Sequence, residues 1–179
     1  SACLRPLDNW SEISRPPLTS IPIRSLVSAS ADAGIAAAAA TADLFGIAKS
    51  KRLLEMKLLR FKTVDGEVPV ASSTVWLAPK HGKIAEVIEN DGRTVVELMR
   101  VHFGHRVARI RQRISARSLD EQTARHLMRP AAEASLVIER HYFEQDQPFV
   151  FLRTLSICRG DLTQVEADFL ASSYTGQPP

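Results

Sequence analysis

Two cations, Arg60 and Lys62, stand at alternate positions in a stretch that is otherwise largely apolar. Residues 53–62 predict a β-strand, and strand alternation places five of its side chains on one face: Leu54, Met56, Leu58, Arg60 and Lys62. Burying a lone charge on such a face is costly, so each cation needs a partner. That partner is either an internal carboxylate or a bound anion; alternatively, the cation lies at the rim and reaches solvent. Two cations on one face favour the bound anion for this pair.

Three consecutive hydroxyl residues, Ser72, Ser73 and Thr74, follow Pro69 in the next predicted strand. In a hairpin they lie opposite the strand that carries Arg60. Hydroxyl groups are suited to holding a phosphate, phosphonate or sugar oxygen beside a guanidinium. They are also common in strands, so a purely structural role stays open.

Signatures of catalysis and of metal binding are sparse. His102 and His105 form a His-x-x-His pair, but no third ligand is close in sequence and the Phe-Gly between them indicates a turn. The chain has no nucleophile elbow, no glycine-rich phosphate loop and no Cys-x-x-Cys motif, and its carboxylates are scattered. We therefore expect no metal, no other cofactor and no enzymatic activity.

The elements that must position these residues occur twice, about eighty positions apart. Each copy begins at a Thr-Ala pair, at Thr41 and Thr123, and carries an arginine, Arg60 or Arg140, before a turn and a proline. Four side chains of the second copy share a strand face: Leu136, Ile138, Arg140 and Tyr142. Each copy predicts a short helix, a strand, a tight turn and a second strand. Two helix–hairpin units in pseudo-repeat would form a cleft for a small molecule, although α+β proteins also repeat such elements by chance.

Further helices are predicted from local signals. Residues 25–33 predict a helix closed by Gly34, and residues 83–90 predict another. The pairs Thr94–Glu97 and Ser118–Glu121 have the spacing of a capping box, so each predicts the start of a helix.

Composition is typical of one compact globular domain. The chain has 179 residues, of which 45% are hydrophobic and 24% charged, and no apolar run approaches the length of a membrane span. Its two cysteines, Cys3 and Cys158, form no ligand pattern, so a reduced, cytoplasmic protein is expected. The net charge of +3 is modest, but residues 106–117 hold five arginines and no acid. This stripe favours a solvated strand face, with direct DNA binding as the alternative.

A set of ordered motifs resembles the UTRA effector-binding domain, the C-terminal half of HutC-like regulators in the GntR family. In the first half of the chain the resemblance lies between residues 42 and 69. In the second half it is carried by these residues: Gln112 to Arg117, Ala124, Leu127, Leu136 to Arg140, Pro148 and Arg159-Gly160-Asp161. It covers about residues 18 to 170. It implies a chorismate-lyase-like α+β fold, an antiparallel sheet with flanking helices, in a homodimer.

The termini are expected to lie outside this domain. Residues 1–22, rich in proline and serine, resemble the linker that follows a winged helix-turn-helix, and residues 172–179 predict a flexible tail. Residues 23–171 then form the effector-binding domain. Operator DNA is expected to be bound only through a DNA-reading domain that is absent from this chain. The chain is then either an excised effector domain or a natural stand-alone relative.

The resemblance also implies a site for a small anionic metabolite. Arg60-Phe61-Lys62 matches the position where family members place an Arg-x-Arg pair on the ligand, Ser73 and Thr74 match the facing strand, and Arg153 matches the second copy. Ser20, in the linker, completes the predicted effector-binding set. Val150 stands where many responders to amino-sugar phosphates carry glutamate, which favours another ligand. The linker and the Ser-Ala-Arg run at 115–117 are more similar to regulators of phosphonate metabolism.

An enzyme of the same fold, chorismate lyase, is the alternative. That enzyme relies on an arginine after the first hairpin turn and a glutamate after the second. Ser73 or Thr74 stands at the arginine position here, and Arg153 stands near the glutamate position. Since function must be argued from the site rather than the fold, these departures favour the regulator.

Overall fold

A computed structural model describes residues 23–29, 35–36, 39–48, 52–63, 66–88, 91 and 93–167. The predicted linker, the predicted tail and Ser20 lie outside these residues. The strands are β1 (Ile23–Ala29), β2 (Ile35–Ala36), β3 (Arg52–Thr63), β4 (Glu67–Leu77), β5 (Arg109–Ser118), β6 (Ala134–Phe143) and β7 (Val150–Arg159). The helices are α1 (Ala39–Phe45), α2 (Ile84–Ile88), α3 (Val95–Phe103) and α4 (Glu121–His126), with a 3-10 helix at Pro79–His81.

The strands form an antiparallel sheet in the order β1-β3-β4-β7-β6-β5, and the short β2 pairs with β3 beside this path. Strands β4 and β7 pair at its centre, from Ala71 opposite Cys158 to Leu77 opposite Leu152. Each half of the sheet therefore contains one predicted helix–hairpin unit: α1 with β3 and β4, and α4 with β6 and β7. The predicted α+β fold with two units in pseudo-repeat is confirmed.

Matching bulges fix how the two halves correspond. The register of β3 on β4 shifts between Arg60 and Phe61, and that of β6 on β7 shifts between Tyr142 and Phe143. A bulge adds one unpaired residue to a strand and bends it locally. Tyr142, not Arg140, therefore occupies the position equivalent to Arg60. Matching Arg60 with Arg140 by sequence was wrong, because Arg60 lies directly before its bulge whereas Arg140 lies two residues before Tyr142, the residue that precedes the second bulge.

Helices cover both faces of the sheet. On the first face, α2 and α3 pack their buried side chains, such as Ile84 and Leu98, onto Met56, Val75 and Leu152. On the second face, α1 places Phe45 on Leu53, and α4 places Ala124 and Leu127 against Leu59 and Ile157. Full burial of an aliphatic side chain contributes about 1.5–3 kcal/mol, so these contacts hold the helices on the sheet. None of the described helices is long and apolar enough to cross a membrane.

The helix predictions held where a local cap sets the boundary. The predicted capping box is present at Thr94, whose side chain accepts from the Glu97 amide while Glu97 accepts from the Thr94 amide. Helix α4 is capped by Asp120 and not by Ser118, because the Asp120 carboxylate accepts from the Thr123 amide at 2.8 Å. Ser118 instead ends β5, where it pairs with Ala134.

The helix predicted over residues 25–33 is wrong. Residues Ile23–Ala29 form β1, which pairs with β3 from Lys62 to Met56. The physical reason is a long-range ladder: serine and β-branched residues are weak helix formers, so pairing with β3 determines the conformation. The predicted cap at Gly34 lies outside the described residues.

Candidate functional site

Polar side chains gather in the middle of the first sheet face, beyond the apolar area that α2 and α3 cover. Directly paired residues of an antiparallel ladder lie on the same face, so the register identifies them. Leu58, Ser73 and Ser156 form one row, and Val75, Thr154 and Arg140 form the next. Arg60 lies one row further along β3, opposite Ala71. We refer to Arg60, Ser73, Thr154, Ser156 and Arg140 as the arginine cluster.

Arg60 is a partly buried cation without a carboxylate partner in the described part of the chain. Burial lowers the pKa of the Arg60 guanidinium, and nearby Arg140 lowers it further, while Tyr142 and Cys158 act in the opposite direction. The guanidinium stays protonated in proteins, so its charge is present and poorly compensated. Of the two partners expected from the sequence, an internal carboxylate is therefore not found among the described residues.

Hydroxyl groups line the sheet centre between the two arginines. The Ser73 and Ser156 side-chain oxygens are 2.8 Å apart, and Ser73 is only 2% exposed. Thr154 is also buried and lies beside Arg140. Either serine can donate to the other, so the pair has one remaining hydrogen for a further acceptor.

Arg140 has a neutral partner. Its Nε donates to the Gln112 Oε1 atom at 2.6 Å, and no described carboxylate forms an ion pair with it. Both Arg140 and Arg60 act on the buried Cys158 thiol, whose pKa burial raises. The two guanidinium charges therefore meet in one region of the sheet.

The structure does not bring the whole predicted site together. Lys62 follows Arg60 on the first face, but Thr74 pairs with Lys57 and Leu155 and so lies on the second face. Grouping the three hydroxyl residues was wrong for Ser72 and Thr74, because alternation turns only Ser73 toward Arg60.

Arg153 also lies on the second face, and its charge is compensated by a carboxylate of the same chain. Its Nη2 is 2.8 Å from Glu139 Oε1, and its guanidinium lies 4.5 Å from the centre of the Trp76 ring. Trp76 in turn donates to Glu55 Oε2 at 2.8 Å. Arg153 and Arg60 therefore lie on opposite faces of the sheet, and the prediction that they share one site is contradicted. The sequence analysis did not include Thr154 and Ser156 in the site. Their alternate spacing with Cys158 would have placed all three side chains on one face of a strand.

A second polar cluster surrounds His81 and His105, which we call the histidine pair. Their Nε2 atoms are 2.9 Å apart, and the His105 ring stacks on Phe151 with centroids 4.5 Å apart. Glu144 Oε1 lies 3.0 Å from His105 Nδ1. His81 is 2% exposed, and burial, followed by the charges of His105 and Lys80, lowers its pKa to about 4.

An open cavity of about 540 Å³ adjoins the histidine pair, and its lining includes Phe45, Phe149 and Phe151. The sequence paired His105 with His102, but the structure pairs it with His81, because Gly104 ends α3 in the left-handed conformation (φ 73°) and turns the chain. Across the described ranges, no three His, Cys, Asp or Glu side chains converge to hold a metal ion.

The arginine stripe forms the exposed strand β5 at the sheet edge. Arg109 lies 3.8 Å from the centre of the Phe143 ring, and Arg113 Nη1 is 3.4 Å from Glu139 Oε2. These contacts fit a solvated strand face, the first reading of the stripe.

These features define an antiparallel α+β domain with a polar, cationic centre on one sheet face. A family model for the UTRA domain matches residues 32–164, so the chain belongs to the UTRA domain family. No curated protein matches the sequence.

Solved structures share the fold at low sequence identity. The ligand-binding domain of a GntR-family transcriptional regulator from Bordetella bronchiseptica is 13% identical, with a TM-score of 0.67 over 83% of this chain and 85% of that one. The effector domain of PhnF from Mycobacterium smegmatis is 19% identical, with a TM-score of 0.67 over 83% and 89%. The chain spans 63% of a longer PhnF structure, at 20% identity and the same TM-score. Family and fold together describe an effector-binding regulatory domain.

Proposed function

We propose that this chain is the effector-sensing domain of a GntR/HutC-type transcription regulator. It binds a small anionic metabolite, a phosphonate or sugar phosphate, and thereby controls DNA binding by a winged helix-turn-helix domain outside this sequence. The regulator acts as a homodimeric repressor. The observation that carries the proposal is Arg60, a partly buried guanidinium that has no described carboxylate partner.

The energetic argument follows from the cost of an uncompensated charge. A bound anion restores the charge-assisted hydrogen bonds that burial removes from Arg60, and Ser73 lies in the next row of the same face. Such a bond is worth about 1.5–3 kcal/mol, or roughly ten- to hundred-fold in affinity. Lys62, further along the same face, adds a second positive charge.

The test is ligand binding by wild type and two matched variants. Thermal-shift screening with phosphonates, sugar phosphates and neutral sugars identifies stabilising ligands, and calorimetry then measures their affinity. Arg60→Ala should weaken anion binding roughly ten- to hundred-fold. Lys57→Ala is the control, because Lys57 is an exposed cation of the same strand on the opposite face. Stabilisation by neutral sugars alone, or equal affinities in wild type and Arg60→Ala, would refute the proposed site.

A further inference from the structure

The arginine cluster contains two cations from different halves of the sheet. Arg60 comes from β3 and Arg140 from β6, and both stand on the first sheet face. Neither forms an ion pair with a carboxylate in the described ranges. Two uncompensated cations in one region repel one another, and Arg140 accordingly adds to the lowering of the Arg60 pKa that burial causes.

The separation of the two arginines limits what can satisfy both. Strands β3 and β6 are three positions apart in the sheet, and the row of Arg60 is four residues from the row of Arg140. Their Cα atoms are therefore about 14 Å apart across the sheet and about 14 Å apart along it. Arg140 is held by Gln112 of β5, on the side of β6 away from β3, so a ligand that contacts both arginines must span much of this separation.

The space between the arginines is polar. The Ser73–Ser156 pair lies on the one row between Arg60 and Arg140, and Thr154 lies on the row of Arg140 beside it. Hydroxyl groups there can donate to, or accept from, the neutral middle of an elongated ligand. A purely apolar linker between two charged groups would leave these buried hydroxyls less well satisfied.

We propose that the effector is a two-headed anion, with a phosphonate or phosphate group held by Arg60 and a second anionic group, carboxylate or phosphate, held by Arg140. This inference rests on the proposed function and narrows its ligand class. A single small anion at Arg60 would leave Arg140 with Gln112 alone and would compensate only one of the two charges. A two-headed ligand compensates both and joins the two halves of the sheet.

The experiment compares anions that differ only in their second charge. Calorimetry measures the affinity of the whole chain for ethylphosphonate and for a series of phosphonocarboxylates of increasing chain length. Wild type should bind the best phosphonocarboxylate at least about tenfold more tightly than ethylphosphonate, since one further charge-assisted hydrogen bond is made. Arg140→Gln should abolish this preference, so that the variant binds ethylphosphonate and the phosphonocarboxylate with equal affinity. Arg60→Gln should weaken both ligands.

Arg117→Gln serves as the control, because Arg117 is exposed on β5 and lies on the second sheet face. Circular dichroism and the melting temperature establish that each variant is folded. If wild type binds both ligand types equally, or Arg140→Gln keeps the preference, the two-headed ligand is refuted while the anion site at Arg60 stands. If wild type binds no anion of either type, the proposed function fails together with this inference.

Discussion

Arg60 and Arg153 are both partly buried cations of the central sheet, yet their surroundings differ. Arg153 is held by Glu139 and packs on Trp76, whereas the described charged and titratable groups that act on Arg60 are Arg140, Tyr142 and Cys158, none of which is a carboxylate. The two arginines lie on opposite faces of the sheet: Arg60 on the first face and Arg153 on the second. A guanidinium with a complete internal environment contributes to stability, and one without it is available for a ligand.

Arg153→Met should therefore destabilise the fold without weakening anion binding. The substitution keeps the aliphatic part of the side chain but leaves Glu139 with weaker partners, for an expected loss of about 1–3 kcal/mol. Urea unfolding measures the loss, and calorimetry measures the anion affinity. Arg113→Met is the matched control, because Arg113 contacts the same carboxylate from a side chain that is 79% exposed. Reduced anion affinity in folded Arg153→Met would return Arg153 to the binding site.

His81 should make stability depend on pH. Its pKa is lowered from 6.5 to about 4 in the folded protein, so the unfolded chain binds the proton more tightly. The stabilisation is complete above about pH 6.5 and is lost as the pH falls toward 4, with a maximum of about 3 kcal/mol. Urea unfolding between pH 7.5 and 4.5 measures it.

His81→Phe should flatten this pH dependence, since the titrating group is removed. His126→Gln is the control, because His126 is exposed on α4. A wild-type stability that is unchanged across this range would show that His81 keeps an ordinary pKa in the folded state.

Among the elements, α3 depends on its capping box. Thr94→Ala removes the side-chain acceptor for the Glu97 amide and should cost about 0.5–2 kcal/mol. Helix α3 contributes the buried residues Leu98 and Met99 to the core, so the loss is felt in global unfolding. Thr94→Ser keeps the hydroxyl and should stay close to wild type in urea unfolding. If both variants unfold alike, the cap is not what stabilises α3.

The elements that sequence reasoning predicted correctly are those whose signals are local. The capping box of α3 and the alternation of β3 lie within a few residues, and both were read from the sequence. Strand β1 was missed because its conformation depends on β3, some thirty residues later in the chain. Asp120, and not the predicted Ser118, caps α4. Ser118 still belongs to strand β5, whose end is set by its pairing with β6.

The candidate site was predictable in part for the same reason. Alternation along one strand identified Arg60, Lys62 and the shared face of Arg140 and Tyr142. It did not show which hydroxyl of the next strand faces Arg60, because that depends on the register and on the bulge after Arg60. The histidine pair joins residues from the 3-10 helix and from the turn after α3, and no short sequence pattern links them.

For the whole molecule, the chemistry of the arginine cluster opposes the lyase alternative. The described side chains of the cluster are guanidiniums and hydroxyls, which cannot supply a carboxylate for proton transfer at neutral pH. When the protein is incubated with chorismate, we expect no more pyruvate to be released than in a heat-killed control. A coupled dehydrogenase assay measures the pyruvate. Release of pyruvate that Arg60→Ala abolishes would instead establish an enzyme.

The ladder between β4 and β7 is nearly symmetric about the pair Thr74 and Leu155, with a bulge at the same place on each side. This is the geometry expected if a half-length ancestor once paired with a second copy of itself through that edge, and the two genes were later fused. After such a fusion, a substitution in one half of the chain no longer changes the other half. The residue directly before the bulge is Arg60 in one half and Tyr142 in the other. The two halves therefore differ in chemistry at this position, although their strand pairing keeps the same geometry.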